Sequence, residues 1–135
     1  MRGGLVAPLM VLFGALPLGA EEADPLRGAE VFATHCAVCH GSEARGDGPM
    51  ARVLLVTPPD LRGLARQNGG TFPATWVAYR IDGRSPIVSH GGDMPLFGRL
   101  FGMPDGAVAS ETGQPIVTAQ PLADVVEFLR QIQDP

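Results

Sequence analysis

Two thiols and an imidazole within five residues, Cys36-Ala37-Val38-Cys39-His40, carry most of the chemistry this chain can do. C-x-x-C-H is the spacing at which haem is joined covalently to protein. On one helical turn, thiols three residues apart can each meet a porphyrin vinyl group. The histidine that follows then lies under the iron. The chain holds no other cysteine. A redox dithiol would use the same C-x-x-C pair, but it goes with a βαβ pattern, and the flanks here read as helical. Zinc wants four ligands. Beyond the motif only His35 and His90 remain, and His35 is too near in sequence to complete a tetrahedron. A disulfide across three residues would close too small a loop to stabilise much. Haem attachment is the favoured reading, with dithiol and metal sites as its alternatives.

These groups need a scaffold, and 135 residues hold one domain. Residues 1–20 read as a secretory signal. Arg2 gives a positive start, Leu5 to Leu18 form an apolar run, and Ala20 precedes Glu21-Glu22. Leu18 stands where a small residue is preferred, so an uncleaved anchor with membrane association is the alternative, although the run is short for a bilayer span. Residues 21–135 then form the folded domain, small enough to need a staple. A porphyrin disc at its centre would serve. Export implies a periplasmic address, which suits covalent haem attachment and would threaten a free Cys pair.

The formal charge is −4, and all ten basic residues are Arg. A negative surface without Lys argues against nucleic acid and against avid binding to anionic lipid. No Ser-His-Asp set, phosphate loop or pair of catalytic acids stands out.

Helix signals bracket the domain. Asp24-Pro25 reads as an N-cap with Pro at the first helical position. Leu26, Ala29, Phe32/Ala33 and Cys36 follow at helical spacing. Pro121 to Gln133 carries Leu122, Val125, Val126, Leu129 and Ile132 on one stripe, with Asp124 and Glu127 largely off it and an N-cap at Gln120 or Thr118. Trp76 to Ile81 predicts a short helix between Pro73 and Gly83. Pro58-Pro59 ends any helix through Met50 to Leu55. From Gly91 to Gln120 the chain reads mostly as loop, which would be long for an ordinary domain but not for one wrapped around a haem.

With these residues the chain resembles class I c-type cytochromes, the small mono-haem electron carriers. The resemblance spans nearly all of residues 25–133. It implies an all-α fold, the N- and C-terminal helices crossing around one covalent haem c, with long loops between. Gly28-x3-Phe32-x3-Cys36 looks like the family's first helix, and Phe128 fits its partner on the last. Pro59-Asp60-Leu61-Arg62-Gly63-Leu64 is similar to the loop whose proline carbonyl accepts a hydrogen bond from the axial histidine. Here the segment from His40 to Pro59 is longer than in the short cytochromes, which leaves Pro58 and Pro49 as alternatives. Leu61 would pack on the haem face. Met94-Pro95-Leu96-Phe97-Gly98 resembles the distal methionine loop, with Gly91-Gly92 letting it approach the macrocycle. The implied iron ligands are His40 and Met94; Met103, His90 and Met50 compete for the second position. Trp76, Tyr79, Arg80 and Arg66 are candidate donors to the haem propionates.

The resemblance implies one-electron transfer and redox protein partners, a dehydrogenase or an oxidase, and no enzymatic activity of the chain's own. Two other classes stay open: a haem subunit within such a complex, and a haem enzyme or gas sensor with a displaceable distal ligand. Arg99 to Gln120 exceeds what a minimal carrier needs and reads as a docking surface or a passive insertion.

Overall fold

The computed structural model describes residues 21–84 and 94–135. The leader assigned to residues 1–20, the competing ligand His90 and the Gly91-Gly92 pair lie outside them. Helix α1 (Pro25–His35) begins as its sequence dictates, with the Asp24 carboxylate accepting from the Leu26 amide at 2.8 Å and Pro25 in the first turn. After a break at Cys36, α2 (Ala37–His40) adds one further turn. Helix α3 (Leu64–Gln67) is short; α4 (Ala74–Asp82) runs from Pro73 to Gly83, both ends as expected. Helix α5 (Gln120–Gln131) closes the domain and packs chiefly against α1.

That crossing is built around a missing side chain. Gly28 and Phe32 are the buried residues of α1, and the Phe32 and Phe128 rings meet with centroids 5.3 Å apart. Leu26, expected on the buried stripe, is 77% exposed. Gly28 sets the contact face, and Leu26 lies two residues earlier, about 200° round the helix from it.

Asp124, expected off the stripe, is a second correction, since its side chain is 3% exposed. It is buried because α1 brings it partners: the Asp24 amide donates to it at 2.7 Å and Arg27 Nε at 2.9 Å, and Gln120 adds a bond at 2.8 Å. Burial pushes this carboxyl up, but Arg27, the Asp24 amide and Gln120 together outweigh it and hold it below its ordinary value. A depressed carboxyl pKa stabilises the fold above the unfolded value and loses that contribution as pH falls through the folded one. Asp124→Asn is therefore expected to be less stable at neutral pH by about 2 kcal/mol. The gap to the parent should narrow below about pH 4 in thermal unfolding. A gap that stays constant down to about pH 2 would refute the ionic role.

The stretch read as loop contains strands. β2 (Gly106–Ala109) pairs antiparallel with β3 (Pro115–Thr118), Gly106 opposite Thr118 and Ala109 opposite Pro115. The two-residue β1 (Glu21–Glu22) joins β2 in parallel, giving the order β1-β2-β3. Each hairpin strand alternates in burial, but over only four residues, too few to register as a period. The helices still carry the fold, and the small sheet is an addition to them. Nor is α5 capped by Gln120 or Thr118. Ala119 stands at that position, and Asp105 reaches across to accept from the Gln120 amide at 2.9 Å.

Candidate haem site

The Cys36 carbonyl accepts from the amides of Cys39 at 3.1 Å and His40 at 2.9 Å, winding the motif into one turn. Cys36, Cys39 and His40 line a single cavity of about 480 Å³. Met94, Pro59, Leu61, Trp76 and Arg80 line it too, whereas two of the candidate donors, Tyr79 and Arg66, do not. Its apolar lining comes from the core residues Phe32, Leu64, Val77, Ile81, Val125 and Leu129. The size lies within the ~300–1,000 Å³ usual for cofactor and ligand sites.

Tyr79 misses the cavity because of its place on α4. Trp76, Val77, Arg80 and Ile81 recur on one face of α4 and line the cavity, and Tyr79 falls outside that face. Its ring lies instead 5.1 Å from the Arg84 guanidinium. Arg66 is exposed and also outside the cavity. Among the rival methionines, Met103 is 79% exposed, and neither it nor Met50 lines the cavity.

Gly46 explains how Pro59 reaches His40 across a long connection. Its amide donates to the His40 carbonyl at 2.8 Å, and its φ of 81° suits glycine. A Cβ there would strike the Pro58 carbonyl and come within 3.1 Å of the Pro59 oxygen. The Leu61 amide donates to Ala44 at 2.8 Å and pins the far side of the same loop. The additional residues are taken up by a 3₁₀ turn at Ala51–Val53 and by exposed Val53, Leu55 and Val56. Pro58 and Pro59 share the cavity and Pro49 does not, and the Pro59 carbonyl lies near enough to His40 to pull its pKa upward.

His40 is 9% exposed. Burial lowers its pKa, and the Pro59 carbonyl pulls it partly back. Apart from that pull, its Nδ1 is buried without a well-aligned partner. The ring is therefore biased toward the neutral form, the form that can ligate a metal. Burial pushes the Cys36 thiol up to about 11, with Cys39 adding to the shift. A redox dithiol needs the opposite, a depressed thiol. Among the described residues no group of three or more His, Cys, Asp or Glu is placed to hold a metal ion. An apolar cavity, two thiols at its edge and a buried neutral imidazole fit a thioether-linked porphyrin.

Two contributors went unrecognised in the sequence. His35, weighed only as a zinc ligand, lines the cavity, and its ring stands edge-on to Phe101 at 5.3 Å. Phe97, quoted only as part of the methionine loop, also lines it and stacks on Phe101 at 5.8 Å. The Phe97 amide donates to the Ile81 carbonyl at 2.8 Å, so the loop carrying Met94 is fastened to the end of α4. The only signal was the three-residue step from Phe32 to His35, which puts both on one side of α1.

Among the described residues no helix is long and apolar enough to cross a membrane. No curated protein and no solved structure matches the chain. The family model described as Cytochrome c matches residues 26–133, a span that takes in the C-x-x-C-H motif, the cavity and both crossing helices. Covalent haem c and haem-based electron transfer come with that family. On motif, cavity and match together, this chain belongs to the cytochrome c family.

Proposed function

We propose that the protein is a periplasmic one-electron carrier whose haem c is tethered through Cys36 and Cys39 and ligated by His40 and Met94. The observation that supports this most is that Met94, from a loop beyond α4, lines the same cavity as the attachment motif. When bound, the haem supplies an iron couple that gains and loses one electron. The chain does the rest. The Pro59 carbonyl would accept from the buried His40 Nδ1, orienting the ring and strengthening it as a donor. The soft thioether of Met94, as an iron ligand, would favour reduced iron, and so would the apolar lining, which would keep water away. Trp76 and Arg80 supply N–H donors for the porphyrin carboxylates. With His40 and Met94 both holding the haem iron, no site would be left for a substrate, and the chain would pass electrons between redox proteins such as a dehydrogenase and an oxidase.

One preparation tests the reading. The coloured protein should be recovered in the periplasmic fraction, and its oxidised form should show a weak near-red absorption band that Met94→Ala abolishes. Reduced Met94→Ala should bind carbon monoxide rapidly, and the parent should not. A band that survives Met94→Ala, or rapid carbon monoxide binding by the parent, would refute the distal assignment.

A further inference from the structure

The stretch from Arg99 to Gln120 reads in sequence as a docking surface or a passive insertion. Its hairpin does something else: it holds α4 at both ends. Pro73 precedes α4 and offers no side-chain cap. Glu111, in the turn between β2 and β3, supplies one from a distance. The Thr75 amide donates to Glu111 Oε1 at 3.0 Å, and the Thr75 hydroxyl donates to Oε2 at 2.6 Å. A carboxylate here also meets the positive end of the helix dipole. At the other end the Thr118 hydroxyl donates to Asp82 Oδ2 at 3.3 Å. Arg84 donates to the Val117 carbonyl at 2.9 Å and pairs with Asp82.

The hairpin is in turn fastened to α5. Arg130 donates to the Ala109 carbonyl, and its guanidinium lies 5.6 Å from the Phe72 ring centroid. Burial pushes the Glu111 carboxyl up, but the two Thr75 bonds and Arg130 contribute to holding it below its ordinary value, so it stays ionised near neutrality. Between its two tied ends α4 presents Trp76 and Arg80 to the cavity. Trp76 sits in the first turn, where an uncapped helix frays first.

We infer that the β2–β3 hairpin is an internal brace, and that Glu111 is a positioning residue fixing α4, and with it Trp76 and Arg80, at the porphyrin's carboxylate edge. The inference rests on the reading of those two side chains as donors to the haem. Loosening that edge lets water in and weakens the donors, which favours oxidised iron and lowers the reduction potential.

The test uses the holoprotein with Glu111→Ala and Glu111→Gln, and with Arg80→Ala and Trp76→Phe for reference. Glu111→Ala should speed hydrogen exchange at the Thr75 amide about tenfold and lower the reduction potential. Glu111→Gln, which keeps an acceptor, should bring both part of the way back. Faster exchange with an unmoved potential would mean a merely structural cap, and unchanged exchange would mean no brace; either overturns the inference. If Arg80→Ala lowers the potential and Glu111→Ala does not, the brace fails while the donor reading stands. If neither Arg80→Ala nor Trp76→Phe moves the potential, the donor reading fails and the inference falls with it.

Discussion

Removing both tethers, Cys36→Ala together with Cys39→Ala, is expected to yield a colourless chain that no longer folds cooperatively. The cavity of about 480 Å³ is lined by residues that also form the core, among them Phe32, Leu64, Val125 and Leu129. At ~24 cal/mol per Å³ of residual void, leaving 480 Å³ unfilled would cost about 12 kcal/mol. Collapse and water entry would reduce that figure. It still compares with the whole stability of a small domain, roughly 5–15 kcal/mol. Helices α1 and α4 would then lose the filler between them and be joined only through α5. Far-UV circular dichroism should show most of the helix lost, and heating should give no sigmoidal transition. A double variant that melts cooperatively within a few degrees of the parent would show that haem is held by this domain rather than forming its centre.

The bracketing helices could be read because each carries a local start signal and a long stripe. Asp24-Pro25 opens α1, and Leu122, Val125, Val126 and Leu129 face inward along α5 as their spacing requires. The motif was legible for a different reason: Cys36, Cys39 and His40 are close in sequence because the chemistry acts within one turn. Met94 and Pro59 became legible only through family resemblance, since nothing local says that residues so far from the motif face the same space.

What stayed hidden depends on partners from elsewhere in the chain. Asp124 looks like a surface carboxylate until Arg27, the Asp24 amide and Gln120 surround it. Tyr79 is as good a donor as Trp76 by residue type, and only the rotation of α4 separates them. Ala119 starts α5 without a capping side chain, and Asp105, from the loop before β2, accepts from the Gln120 amide in its first turn. The hairpin strands alternate for four residues each and owe their stability to pairing with one another. Sequence-local reasoning finds signals that act within about one turn and fails where a distant segment supplies the partner.

Substitution of Gly28 separates two accounts of that residue by the sign of its effect. Were Gly28 a tolerated glycine in an exposed helix, Gly28→Ala would raise stability by about 1 kcal/mol through helix propensity alone. The crossing predicts the opposite. A Cβ at this position would run into the backbone carbonyl of Asp124 and lie 2.8 Å from the Phe128 Cβ. Neither obstacle is the free end of a flexible side chain. The Asp124 backbone belongs to α5, and its carboxylate is itself tied to α1 through Arg27 and the Asp24 amide. The helices must therefore move apart, which opens the Phe32–Phe128 contact and loosens one wall of the cavity. Overpacking costs about 1–3 kcal/mol, and losing the aromatic pair adds roughly 0.5–1.5 kcal/mol. Gly28→Ala should thus be clearly destabilised in urea unfolding of the holoprotein. Gly28→Val, with a branched side chain at the same point, should lose about 3 kcal/mol or more. Because the separation acts through the backbone, Phe128→Leu, a smaller side chain, should rescue Gly28→Ala only weakly. A Gly28→Ala protein as stable as the parent would remove the close crossing from this account of the fold.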